Sequence, residues 1–83
     1  MPFFCHIVEC EDGSFYTGWS TDPARRERQH NKGTGARYTR VHRPVHLVYV
    51  EPQADLSTAL RRERELKKLS HERKQKLVEK TND

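Results

Sequence analysis

Asp12-Gly13 sits between two runs rich in β-branched and aromatic residues, and that juxtaposition fixes how the fold begins. Asp-Gly suits a tight hairpin turn, because glycine enters the left-handed backbone region at no steric cost. Phe3–Cys10 reads as a mostly buried strand and Ser14–Trp19 as its partner. Two registers are open. A two-residue loop, Asp12-Gly13, pairs Glu9 with Tyr16 and sends His6 to the other face. A three-residue loop, Glu11-Asp12-Gly13, with a glycine bulge pairs Val8 with Tyr16 and puts His6 on the face of Tyr16. The second is the expected register.

After the hairpin, Asp22 as N-cap and Pro23 at the first helical position start a helix that runs to Asn31. Its surface carries almost no apolar stripe, so something besides core packing has to explain its residues. Lys32 to Arg43 reads as a loop. Pro44–Glu51 is a third strand, apolar on both faces, which predicts a central place or helices on both sides. From Ser57 to Leu69, the residues Leu56, Ala59, Leu60, Leu66 and Leu69 recur at helical spacing. Ser70 caps a last helix to Lys80, docked by Leu77 and Val78. The order is β-β-α-β-α-α. It predicts an α+β fold, a three-stranded, mostly antiparallel sheet flanked by helices. One domain is expected over residues 1–83, with its core at 3–79 and a frayed tail at 80–83.

An 83-residue chain buries only about 60% of its unfolded surface. With 33% hydrophobic and 34% charged residues, disorder would be a fair expectation if the apolar residues were scattered. They cluster in short runs instead. None approaches the roughly 20 apolar residues that span a bilayer, and the N-terminus lacks the layout of a secretion signal. A cytoplasmic location with no membrane contact is expected. Cys5 and Cys10 fall on opposite faces of one strand, which excludes a bridge between them, and their spacing does not suit structural zinc. They read as small buried apolar residues.

The net charge is +4, and the basic residues are unevenly placed. Seven of them (Arg25, Arg26, Arg28, Lys32, Arg37, Arg40, Arg43) stand between Arg25 and Arg43 against a single acid, Glu27. Such a block favours a polyanion, although a solubilising surface accounts for it almost as well. Tyr16-Thr17-Gly18 ends the second strand, where Gly18 leaves room for close backbone approach and Tyr16 can equally be an ordinary strand residue. Arg26 and His30, four apart, share a helix face, and arginine's planar fork matches phosphate. The bland alternative is a solvated helix. Glu63 lies within the apolar stripe between Leu60 and Leu66. An inward carboxylate costs several kcal/mol unless it meets a metal or a partner such as an arginine. The loop interleaves Lys32, Arg37, Arg40 and Arg43 with the stackable Tyr38, a pattern suited to nucleic acid.

Together these residues resemble the GIY-YIG nuclease family, and within it the small stand-alone bacterial members, over about residues 3–79. Tyr16-Thr17-Gly18 stands in the second motif's place, Asp22–His30 in the first helix with Arg26 at the arginine position. Lys32–Arg40 resembles the loop of the stand-alone members. Ala59-Leu60-Arg61-Arg62-Glu63 with Lys67-Lys68-Leu69-Ser70 matches the second helix, with Glu63 at the glutamate position. The resemblance implies a metal-dependent DNA endonuclease, structure-selective and linked to repair or recombination. It implies that Glu63 binds Mg2+ or Mn2+, that Arg26 steadies the phosphate, and that Tyr16 acts as base or orients a water. Products would carry a 5′-phosphate and a 3′-hydroxyl. His30 sits where members place a His or Tyr near the nucleophile.

Two departures stand out. The first motif reads Phe4-Cys5-His6, so His6 replaces its tyrosine, and the late asparagine of many members is missing, with Gln75 the nearest amide. They motivate an alternative, a catalytically weak nucleic-acid-binding module on the same fold. A third reading is a small protein-interaction domain with a basic face. With few phosphate contacts available, so small a module would draw affinity and specificity from a protein partner.

Overall fold

The computed structural model describes residues 2–34, 39 and 42–81. Strands β1 (Phe3–Cys10), β2 (Phe15–Ser20) and β3 (Val45–Gln53) form one antiparallel sheet in the order β2-β1-β3. Helices α1 (Pro23–Asn31), α2 (Leu56–Lys67) and α3 (His71–Thr81) complete the α+β fold in the expected β-β-α-β-α-α order. No helix of the described residues is long and apolar enough to cross a membrane.

The hairpin takes the longer loop. Val8 pairs with Tyr16 and His6 with Gly18. Gly13 adopts φ 85°, its N–H donates to Cys10 O at 3.0 Å, and Cys10 N–H donates to Ser14 O at 2.8 Å. The Asp12 carboxylate holds the turn by accepting from the Ser14 N–H at 3.0 Å and its hydroxyl at 2.6 Å.

Side chains alternate across a strand, so each face of the sheet gathers its own core. On one face Cys5 packs with Ala59 and Leu66, joined by Phe3, Trp19, Leu69 and Leu77, which seats α2 and α3. On the other, Val8, Cys10 and Val45 pack with Tyr16 and Leu47. Both cysteines are free and buried, as their spacing predicts. The Cys5 thiol donates to Ala59 O at 3.2 Å, and burial pushes its pKa up to about 11.

Two sequence expectations are narrowed. First, of the two placements open to β3, it takes the helix-covered one: β1 is central, and β3 is an edge that packs against α1 as well as α2 and α3 and continues through Pro52 to Gln53. An edge tolerates proline because its outward backbone sites need no ladder partner. The start of β3 is instead closed by α1. The Glu27 carboxylate accepts the Leu47 N–H at 2.5 Å, and the Asn31 amide exchanges bonds of 3.0 and 2.7 Å with Val45. Second, the stripe of α2 is narrower than its leucines suggest. Leu56 and Leu60 are 41% and 39% exposed, while Ala59 and Leu66 are fully buried. The helix also starts a residue earlier than expected, capped by Asp55 in a reciprocal capping box with Thr58.

The other caps follow the sequence. Asp22 accepts from the Arg25 N–H at 3.1 Å, and the Ser70 hydroxyl from the Arg73 N–H at 3.2 Å. Arg62 clasps Glu51 with bonds of 2.7 and 3.2 Å, fastening α2 to β3.

Candidate active site

Three elements converge near the exposed side of β2. The hairpin register puts Tyr16 and Gly18 on the same face as His6. A β-carbon built on Gly18 would lie 3.2 Å from His6 Nε2 and 3.9 Å from a Tyr16 ring carbon. Glycine therefore makes room for the imidazole of its cross-strand partner. The sequence anticipates a backbone approach here; the approach is by a side chain.

Helix α1 supplies Arg26 and His30. His30 is the buried residue of this otherwise polar helix and meets the Tyr16 ring edge-on, with centroids 5.7 Å apart. Its Nδ1 lies 2.6 Å from the Thr39 hydroxyl. Arg26, one turn earlier, donates to the Gln29 side-chain oxygen at 3.1 Å and has no carboxylate partner among the described residues. This accounts for a helix with so little apolar surface: it holds a tyrosine from behind and presents a cation in front.

Helix α2 supplies Glu63, four residues after Ala59 and three before Leu66, on the stripe that faces the sheet. Its side chain is 16% exposed and pairs with Lys67 at 3.8 Å, so its partner is a lysine on its own helix and not an arginine. A cleft of about 470 Å³ collects Glu63, Arg26, Tyr16, Gly18 and His6. Trp19, Ser20 and Thr21 complete its wall, and sequence reasoning passed over them. Their place between the strand and the α1 cap is the signal that could have found them. His30 does not line the cleft. It stands behind Tyr16.

Burial disfavours the charged form of both imidazoles. Burial lowers the pKa of His6 from 6.5 to about 4, with His30 and Arg26 adding to the effect. Burial, then Arg26, also lowers that of His30. For His6, the unfolded chain binds a proton between pH 6.5 and 4 and the folded chain does not. Its stabilisation is therefore complete above pH 6.5, declines as the pH falls, and is exhausted at about 4. The difference corresponds to about 3 kcal/mol. Urea denaturation from pH 7 down to 4.5 is expected to show a steady loss of stability. In His6→Leu that slope is expected to flatten; an unchanged slope would assign it to other groups.

Comparison with known proteins identifies the family. A model described as the GIY-YIG catalytic domain matches residues 2–76. The chain belongs to the GIY-YIG family. It is 49% identical over 75 residues to a UPF0213 protein of Staphylococcus aureus, covering 90% of this chain and 92% of that one. Two solution NMR structures share its GIY-YIG fold. The UPF0213 protein BH0048 from Bacillus halodurans is 43% identical, with a TM-score of 0.60 over 95% of this chain and 84% of that one. The protein EF2693 from E. faecalis is 36% identical, with a TM-score of 0.64 over 99% and 88%.

Within this GIY-YIG chain, Gln75 is no substitute for the missing asparagine at the cleft: its amide donates to Glu79 on its own helix at 3.2 Å. Of the basic loop residues, Lys32 is exposed at the end of α1. Arg43 donates to the Asn31 carbonyl at 3.3 Å, and a β-carbon on Gly33, at φ 83°, would come within 2.9 Å of its guanidinium. That contact satisfies a carbonyl at the helix C-terminus, a structural task. Arg37, Tyr38 and Arg40 lie outside the described residues.

Proposed function

We propose that this chain is a metal-dependent endonuclease that hydrolyses phosphodiester bonds in DNA. The observation that carries the reading is the meeting, in one cleft, of a largely buried carboxylate, an arginine without an acidic partner among the described residues and a phenol. The carboxylate fits a hard divalent cation, which takes oxygen ligands and keeps several waters. Glu63 meets one weak ionic partner, and no group of three or more His, Cys, Asp or Glu among the described residues could hold a metal. Glu63 would hold Mg2+ or Mn2+, and such an ion, when bound, supplies Lewis-acid polarisation of a phosphate oxygen.

The remaining work falls to the side chains. Arg26 pairs with the non-bridging oxygens of the scissile phosphate, where its planar fork gives two parallel bonds. The Tyr16 hydroxyl orients the attacking water. An O–P bond forms from that water, the P–O3′ bond breaks, and the 3′ oxygen leaves as a hydroxyl after gaining a proton, with the 5′-phosphate on the other product. His6 and His30 act as positioning residues: one fills the space over Gly18, the other braces the Tyr16 ring.

The burial of His6 favours a second reading, nucleic-acid binding with weak turnover, since a nearly inaccessible imidazole is poorly placed to exchange protons with a substrate. A cleavage assay separates the two. Linear, nicked and branched DNA are incubated with magnesium or manganese, and with a chelator as control. Metal-dependent products are expected, most from the branched forms if the enzyme is structure-selective. Arg26→Ala is expected to slow cleavage by about 10²–10³-fold, the usual loss when one transition-state contact is removed. DNA binding without any metal-dependent product would leave the second reading in place.

A further inference from the structure

A second cleft, of about 400 Å³, opens against the other side of Tyr16, where Phe15, Tyr16 and Thr17 of β2 face Lys67 of α2 and Lys74 of α3. Three observations bear on what it would accept. The Lys74 ammonium has no hydrogen-bond or ion-pair partner among the described residues, and it stands in the first turn of α3, where the helix dipole disfavours a cation. Burial, then the nearby Lys67, lowers the pKa of Lys74. Thr17 is 3% exposed, and its hydroxyl has no hydrogen-bond partner among the described residues. Lys67 has the Glu63 carboxylate at 3.8 Å, whereas the Lys74 ammonium and the Thr17 hydroxyl stay unsatisfied until an anion with several acceptor oxygens joins them.

The two clefts adjoin at Tyr16. Tyr16 lines both, and Lys67 reaches from the second to Glu63 in the first. Phe15–Thr17 in one and Gly18–Ser20 in the other are three residues apart, about 10 Å along an extended strand. A ligand with regularly spaced anionic groups can occupy both. We infer that the second cleft is a phosphate subsite for a nucleic-acid strand, in which Lys67, Lys74 and the Thr17 hydroxyl hold a phosphate next along the chain from the one at Glu63 and Arg26. This rests on the proposed function and adds a second anchor to it.

The test is fluorescence anisotropy of a fluorescein-labelled single-stranded DNA oligonucleotide, in chelator so that nothing is cut, across a series of potassium chloride concentrations. Lys74→Gln is expected to lower the slope of log affinity against log salt by about 0.7, the loss of one phosphate contact, and to weaken binding roughly three- to tenfold at low salt. Lys74→Arg is expected to keep the slope. Thermal melting of Lys74→Gln should match or exceed that of the parent, because the substitution removes a like-charged neighbour of Lys67. If the parent binds DNA and Lys74→Gln leaves the slope unchanged, the subsite is refuted while the nuclease reading stands. If the slope falls but no metal-dependent cleavage exists, the subsite stands and the nuclease reading falls. Lys74-dependent binding of polyglutamate with no binding of DNA would refute the subsite in favour of an acidic protein partner.

Discussion

Glu63→Gln is expected to lower metal-dependent DNA cleavage by about 10²–10³-fold while leaving the fold intact. The substitution keeps volume and shape and removes one negative charge. Among the described residues Glu63 belongs to no buried hydrogen-bond network: its side chain is 16% exposed and its ionic partner is Lys67, 3.8 Å away and itself half-exposed. A long pair one helical turn apart, with its lysine half in solvent, contributes only about 0.3–0.5 kcal/mol, so thermal melting should barely move. Cleavage should change greatly, because an amide oxygen is a far poorer ligand for a hard cation than a carboxylate. Glu63→Asp keeps the charge but withdraws it by one methylene. It is expected to retain partial activity at a raised metal concentration. Full activity in Glu63→Gln would remove the metal role from this residue.

Leu66→Ala is expected to have the largest effect on stability. Leu66 is fully buried among Cys5 and Ala59, and losing such a side chain costs about 2–5 kcal/mol. An 83-residue domain is stable by roughly 4–12 kcal/mol in total. The variant should therefore melt about 10–30 °C lower. Leu60→Ala makes the natural control. Leu60 is 39% exposed, and its truncation should cost under about 1 kcal/mol. Equal losses in the two variants would show that α2 seats on the sheet by a different face.

That pair also marks where the sequence stopped being readable. Leucines at 56, 60 and 66 look alike in periodicity, and nothing in their spacing tells which the sheet is wide enough to cover. A sheet of three strands leaves the flank of α2 in solvent, so Leu56 and Leu60 stay outside. The hairpin register was legible because turn chemistry is local: Asp12, Gly13 and Ser14 make their bonds to one another. The helix caps at Asp22 and Ser70 were legible for the same reason. The position of β3 was not, since strand order depends on contacts far apart in the chain. Its hydrophobicity fits a central place or cover by helices equally well, and only the tertiary contacts decide for the helices. The tasks of Glu27 and Asn31 escaped notice because a polar residue on a polar helix looks solvated until the strand it reaches is known.

At the candidate site, Tyr16, Arg26 and Glu63 could be singled out by residue type and local pattern, and the fold gathers them in one cleft. The helix face that His30 shares with Arg26 does not reveal that its ring packs edge-on against Tyr16. Lys67 and Lys74 belong to different helices, and their convergence against Thr17 has no signature in the linear chain.

The two margins of the sheet are finished differently, and this bears on self-association. β3 is guarded along its start by Glu27 and Asn31 and near its end by Pro52, so it offers a poor template for a further polypeptide strand. β2 has no strand beside it on its outer side among the described residues. Strand addition from another molecule would therefore fall on β2, across Tyr16 and both clefts. Occupancy by a polyanion and stacking of copies through their sheets then exclude each other, and bound nucleic acid would keep the protein dispersed.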